Sequence, residues 1–376
     1  MELPRLKIGL DCESKMPVYI KDRHTNGLVM GKSGEGKSVL ISNFWQEDHY
    51  FGNAKILVDP SGFLARDCYS ISGGRYCSQD HPISINPMIA PYTDSQISDI
   101  IAESINQVVL MTTPNQSFTV KMRGILDQAV KWCLKNNRRN LLHVLDYVIN
   151  QQGDKETRDG IISRLTFLLN DQRMEKLLCG NDSIEWGELI AKKQTFILSC
   201  FGMSKEKMVF AGSLVAHGIN SYFRYSQPAE YLPVSLYLDE AHLFVSPSLF
   251  DILKEGRKYK LSCILATQDF AVIEERMARV MLNVGNIVSF RLGHREAGLI
   301  ARELDIPAQD IQFIEKYHVV YMTAQGKGMA KAPHPPLIRE VAPPMVVEPQ
   351  RISKKLSWFD LEPLESHQPG LNYNEG

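Results

Sequence analysis

One eight-residue segment, 31–38, matches the pattern G-x-x-x-x-G-K-[ST], in which successive backbone N–H groups surround the phosphates of a nucleotide. An apolar run at 28–30 precedes it and a helical run follows it, which is the context that the motif requires. Lys37 is expected to reach the β- and γ-phosphates, and Ser38 to bind Mg²⁺. A chance Gly/Ser turn is the less favoured alternative. The predicted site comprises Gly31, Lys32, Ser33, Gly34, Glu35, Gly36, Lys37, Ser38 and Val39.

Two carboxylates follow a second apolar run, 234–238. Asp239 is expected to hold Mg²⁺ through water, and Glu240 to polarise the attacking water as a general base. The alternative is that these acids cap a helix after a strand. Gln268 follows the apolar run 263–266 and Thr267, and is predicted to sense the γ-phosphate, unless it belongs to an ordinary turn. Together these residues predict hydrolysis of ATP with Mg²⁺.

Short apolar runs rich in β-branched residues predict a mostly parallel sheet buried on both faces. The runs are 28–30, 56–58, 196–200, 234–238, 263–266, 287–290 and 319–322. Between residues 93 and 189 the apolar spacing changes to three and four, which predicts amphipathic helices at 97–109, 120–134, 141–149 and 161–169. We therefore expect an α/β fold whose first part is 1–92 and second part 190–340, with a helical insertion at 93–189.

The last 44 residues contain eight of the chain's 19 prolines, and the segment 341–376 is expected to be an extended tail. Within it, Trp358 and Phe359 stand in an otherwise polar arm. Burying two aromatic rings contributes a few kcal/mol, so we expect the pair to pack on an adjacent subunit or a partner. Packing on their own subunit is the alternative.

Composition excludes several classes of protein. With 42 basic and 43 acidic residues among 376, the net charge of −1 does not fit a histone-like protein or an acidic disordered chain. It still allows local phosphate contacts. No apolar run is long enough for a membrane span. Seven scattered cysteines without a C-x-x-C pair favour the reducing cytoplasm and make a zinc site improbable.

Other classes of P-loop protein fit less well. Residues 239–242 spell D-E-A-H, as in superfamily 2 helicases, but only 108 residues follow Gln268 and they contain no Q-x-x-G-R-x-G-R-type motif. A GTPase is disfavoured because no N-K-x-D motif occurs. A small kinase would need neither the helical insertion nor the pair of Glu240 and Gln268.

The motifs resemble those of the HerA/FtsK superfamily of DNA-translocating P-loop ATPases, especially its HerA and conjugative coupling-protein (TraG/TraD-like) branches. The matching segments are 31–38, 58–62, 86–87, 238–242, 253–259 and 265–268. The sequence E-G-R-K-Y shortly before a strand that ends in A-T-Q is the most specific of these. The resemblance implies a RecA-like P-loop NTPase domain that forms a homo-hexameric ring with ATP sites between subunits.

In such a ring, an arginine of one subunit completes the site of its neighbour. Arg257 is the best match by motif and Arg23 is a weaker candidate; a salt-bridged or solvated surface group is the alternative for each. Two short basic segments, 203–207 and 326–331, are candidate loops for the DNA channel, unless they are only solvated turns.

Three functions stay open at this point. The first is a DNA translocase in conjugation or HerA-like DNA processing, the second a viral genome-packaging ATPase, and the third an assembly ATPase that acts on a protein partner. Expected partners are double-stranded DNA, with single-stranded DNA as an alternative, and a relaxase, secretion channel, nuclease or capsid vertex. The expected location is the cytoplasm, or the virion in the packaging case.

Overall fold

The computed structural model describes residues 5–112, 118–152, 154–226, 228–270, 273 and 275–336. Within these residues, eleven strands join in one sheet. The strands are β1 (Leu6–Asp11), β2 (Pro17–Ile20), β3 (Gly27–Met30), β4 (Ala54–Asp59), β5 (Arg75–Cys77), β6 (Thr195–Ser199), β7 (Val234–Leu238), β8 (Leu261–Thr267), β9 (Asn286–Ser289), β10 (His318–Thr323) and β11 (Gly326–Lys331).

Helices cover both faces of this sheet. The helices are α1 (Lys37–Tyr50), α2 (Phe63–Ser72), α3 (Asp94–Thr112), α4 (Val120–Lys135), α5 (Leu141–Asn150), α6 (Lys155–Leu169), α7 (Gln172–Cys179), α8 (Trp186–Ala191), α9 (Lys205–Tyr225), α10 (Pro247–Glu255), α11 (Glu275–Leu282), α12 (His294–Leu304) and α13 (Ala308–Gln312). Short 3₁₀ helices lie at Pro87–Ile89, Ala241–Phe244 and Gly256–Tyr259.

The strands are arranged in the order β2-β1-β11-β10-β9-β3-β8-β7-β4-β6-β5. From β9 to β5, every neighbouring pair is parallel. Successive residues of a strand point to opposite faces, and both sets are buried: Leu28 and Met30 pack in one apolar core, and Val29 packs in the other. This arrangement confirms the predicted α/β fold with a mostly parallel sheet.

The prediction of a parallel strand at 319–322 is wrong. This segment lies in β10, which pairs antiparallel with both β9 and β11. Only two residues, 324 and 325, connect β10 to β11, and so short a connection can join only antiparallel strands. The candidate DNA loop 326–331 is therefore not a loop, because it forms β11.

The four predicted helices are confirmed as α3, α4, α5 and α6, and α7 and α8 were not predicted. Their buried side chains share one apolar core with the sheet, and the described residues fall in one compact unit. The division into domains at 93–189 and 190–340 stays a prediction. In the described part of the chain, no helix combines the length and the apolar character that a membrane span requires. The tail residues Trp358 and Phe359 lie outside the described residues.

Candidate functional site

Four central parallel strands place the candidate residues at one edge of the sheet. The register aligns Met30 of β3 with Thr267 of β8, and Leu238 of β7 with both Leu265 and Val58. The segments that follow these strands therefore lie side by side at the carboxyl edge. This edge is where open α/β sheets bind their ligands.

The segment 31–38 has the geometry of a phosphate-binding loop. Gly34 and Gly36 have φ values of 79° and 120°, which glycine adopts without strain, and α1 begins at Lys37. Such turns direct backbone N–H groups to one point, and the start of the helix adds partial positive charge. Ser38 is exposed in the first turn of α1, beside Val39.

Lys37 is buried inside this loop, where its Nζ donates to the carbonyl oxygens of Gly31 at 2.6 Å and Lys32 at 3.3 Å. Burial lowers the pKa of Lys37, and the nearby carboxylates of Glu240 and Asp239 oppose that shift. The structure thus brings Lys37 and the two predicted acids into one electrostatic environment.

Asp239 and Glu240 form an acidic cluster with a neighbouring carboxylate. Asp239 is 7% exposed, and burial raises its pKa to about 7, with Asp59 and Glu240 adding to the shift. Burial also raises the pKa of Glu240, although Lys37 acts in the opposite direction. Buried acids of like charge favour protonation unless a cation compensates them. Asp239 and Glu240 therefore lie in an environment that disfavours their charged forms.

Gln268 lies in contact with Glu240. Its Nε2 donates to Glu240 Oε1 at 3.0 Å, so the predicted sensor and the predicted base share a hydrogen bond. Glu240 itself has φ 45° and ψ 48°, a left-handed conformation that is unusual for a residue other than glycine. His242 lies on the other side, with Nδ1 3.4 Å from Glu240 Oε2 and 3.1 Å from Thr267 Oγ1.

Two contributors to the site were not predicted from the sequence. Asp59, at the end of β4, is fully buried and accepts hydrogen bonds from the backbone N–H groups of Ser61 and Ala65, both at 2.8 Å. Arg291 follows β9, and its Nε donates to Glu35 Oε1 at 3.0 Å. Asp59 ends a buried strand and Arg291 follows one, so the positional signal that located Asp239 would have found both.

Arg23 does not reach this site. The residue is 3% exposed, and its guanidinium forms a bidentate pair with Asp48, in which Nε donates to Oδ1 at 2.7 Å. Nη1 also donates to Ser262 Oγ at 2.6 Å. A guanidinium held in this way is not available to a nucleotide on another subunit, so this environment does not support Arg23 as a trans arginine.

Arg257 lies at the opposite edge of the sheet. It precedes β8, its side chain is 72% exposed, and its Nη2 pairs with Asp22 Oδ2 at 3.0 Å. The seven residues of β8 separate it from Gln268. At roughly 3.3 Å per residue, the strand alone spans about 20 Å, so Arg257 is remote from the nucleotide site of its own subunit.

The candidate DNA loop 203–207 is a loop only at residues 203 and 204, and its contact with DNA stays a prediction. Ser204 caps α9, whose first turn begins at Lys205. Lys207 is buried, and its Nζ lies 3.4 Å from Asp171 Oδ2. Of the two segments proposed for the channel, neither is a loop throughout.

Comparison with solved structures shows what fold this is. The chain is similar to VirB4 of Thermoanaerobacter pseudethanolicus, with a TM-score of 0.70, 15% identity, and coverage of 88% of this chain and 97% of that chain. It is similar to the unbound conjugative coupling protein TrwB, with a TM-score of 0.70, 15% identity and coverage of 88% and 90%. TrwB in complex with ADP and Mg²⁺ gives a TM-score of 0.69, 16% identity and the same coverage. No protein-family model matches the sequence, and neither does any curated protein.

Proposed function

We propose that this chain is a Mg²⁺-dependent ATPase that uses hydrolysis to translocate DNA as a homo-hexameric ring. The observation that carries the proposal is the cluster of Lys37, Asp239, Glu240 and Gln268 at the carboxyl edge of the parallel sheet. The phosphate loop and α1 would bind the phosphates, with Lys37 turning from the loop carbonyls to the β- and γ-phosphates.

Mg²⁺ fits the residues that are present. Ser38 is exposed at the start of α1, and the buried Asp239 lies near Asp59 and Glu240 at the same edge of the sheet, so oxygen ligands of the kind that Mg²⁺ prefers are available there. When bound, Mg²⁺ neutralises charge on the transferred phosphate. Asp239 would hold the ion through water, while Glu240, fixed by Gln268, would orient and deprotonate the attacking water.

DNA as the cargo is supported by the fold. Conjugative coupling protein TrwB and VirB4 share this arrangement across most of their solved chains. Conjugation or a related DNA-processing system is the setting that we propose, with further copies of this chain as ring partners. An assembly ATPase acting on a protein would have the same nucleotide site, so DNA dependence is the property to measure.

The experiment is a steady-state ATPase assay with and without double-stranded and single-stranded DNA, with the oligomer mass measured in parallel. We expect DNA to stimulate hydrolysis. Lys37→Ala should weaken binding of ATP, and Glu240→Gln should keep ATP bound but stop its turnover, because only the water-activating carboxylate is lost.

Two exposed positions provide matched controls. Lys131→Ala and Glu188→Gln make the same chemical changes at side chains that are 45% and 44% exposed, and both should leave the activity unchanged. Full hydrolysis by Glu240→Gln would show that the base is assigned wrongly. Hydrolysis that no DNA stimulates would contradict the translocase and favour action on a protein partner.

A further inference from the structure

An exposed tyrosine stands beside the phosphate loop. Tyr317 directly precedes β10, which pairs antiparallel with β9, so it lies at the edge of the sheet where β9 ends. A Cβ atom placed on Gly36 would lie 3.5 Å from the Tyr317 ring. The ring therefore lies next to the residue that precedes Lys37 and α1.

The backbone of Tyr317 is held in an unfavourable conformation. Its φ is 64°, and left-handed conformations are uncommon for bulky side chains. Its carbonyl oxygen accepts from the N–H of Ala332 at 2.9 Å, and the next residue, His318, donates to Glu315 O at 3.0 Å. Backbone outliers that the surrounding structure enforces concentrate at functional sites.

This conformation does not serve to bury the ring. Tyr317 is 52% exposed, whereas Phe290, which also borders Gly36, is fully buried. The Nζ of Lys316 lies 5.0 Å from the centroid of the Tyr317 ring and adds positive charge beside it. An exposed aromatic face next to a phosphate loop is suited to a ligand that has both phosphates and a flat ring system.

The chain that leaves β11 borders the same helix. Asn43 of α1 donates from Nδ2 to the carbonyl oxygen of His334 at 3.0 Å. Tyr317 and the segment 332–336 thus flank α1, whose first turn is the proposed phosphate site. A nucleotide with its phosphates on this helix can extend its base toward Tyr317.

We propose that the ring of Tyr317 is the stacking surface for the purine base of the bound nucleotide. The proposal rests on the nucleotide binding proposed above, but not on DNA translocation. Stacking uses the π face that every base has and is tolerant of base identity. We therefore expect adenine and guanine nucleotides to bind with similar affinity.

The test compares ligands with and without a base. Affinities of MgADP, MgGDP and inorganic tripolyphosphate are measured, the last by competition, on the unchanged protein, Tyr317→Ala and Tyr317→Phe. Loss of base stacking should weaken ADP and GDP binding to Tyr317→Ala about tenfold or more and leave tripolyphosphate binding unchanged. Tyr317→Phe keeps the ring and should bind all three ligands as the unchanged protein does.

Three results would overturn the proposal. Equal losses for ADP and tripolyphosphate would mean that Tyr317 supports the phosphate loop instead of the base. Unchanged ADP affinity in Tyr317→Ala would remove the contact altogether, and a loss in Tyr317→Phe would assign the effect to the hydroxyl. Failure of the nucleotide site itself is distinct, since the unchanged protein would then bind neither ADP nor tripolyphosphate.

Discussion

The ion pair between Arg291 and Glu35 gives a prediction whose magnitude can be worked out from the structure. Glu35 is 4% exposed, and its Oε1 accepts from both Nε and Nη2 of Arg291. Its Oε2 is buried without a hydrogen-bond partner among the described residues. Arg291→Met would leave this carboxylate buried and uncompensated inside the phosphate loop.

Removal of one partner from a fully buried ion pair costs about 3–5 kcal/mol. The side chain of Arg291 is 42% exposed, so water would replace part of the lost interaction. We therefore expect Arg291→Met to lower the free energy of unfolding by about 2 kcal/mol. It should also weaken MgADP binding, because the uncompensated carboxylate would repel the phosphates.

A double-mutant cycle measures this coupling. Denaturant unfolding and MgADP binding are measured for the unchanged protein, Arg291→Met, Glu35→Gln and the variant with both changes. The double variant should recover most of what Arg291→Met loses, because the amide carries no charge that needs compensation. Arg302→Met, at an exposed position of α12, is the matched control. Additive losses in the double variant would refute the reasoning and indicate that Arg291 acts on the nucleotide directly.

Two further predictions concern pH and the tail. Burial raises the pKa of Glu47 to about 7 from 4.5, so the stability of the unchanged protein should fall as pH rises between those values. Glu47→Gln stays neutral, keeps an acceptor for the N–H of Lys7, and should flatten that slope in unfolding measured from pH 4.5 to 8. Deletion of residues 341–376 should keep MgADP affinity but weaken ring assembly or partner binding, measured by oligomer mass and pull-down; unchanged assembly and partner binding would refute the role given to Trp358 and Phe359.

Parallel strands made much of the site predictable from the sequence. Buried strands of this kind are continuous apolar runs, and Asp239 and Gln268 directly follow two of them, so both could be located without coordinates. Lys37 was located by the phosphate-loop motif that follows β3. The same rule applies to Asp59 and Arg291. It was not applied to them because Asp59, although it lies in the matching segment 58–62, was given no chemical role, and Arg291 lies in none of the matching segments.

The antiparallel part of the sheet was harder to predict. The segment Gly326–Lys331 is glycine-rich and basic, with little apolar alternation, and it forms a strand because β10 and β1 pair with its backbone on both sides. Pairing of this kind depends on tertiary contacts more than on local preference. The burial of Arg23 also depends on tertiary contacts, because its partners Asp48 and Ser262 are distant from it in the sequence.

The position of Arg257 makes a prediction about how the subunits of a ring would pack. Because it lies at the amino edge of the sheet, it can assist hydrolysis only at the carboxyl edge of a neighbouring subunit. That contact is head-to-tail, the kind that closes into rings.

Arg257→Ala should then lower turnover by about 10³-fold or more while MgADP affinity is unchanged. Mixing it with Glu240→Gln should recover part of the activity, because some interfaces would pair an intact Glu240 with an intact Arg257. Equal activity of Arg257→Ala and the unchanged protein, or no recovery on mixing, would contradict a trans role, and the distance along β8 leaves no cis role to replace it.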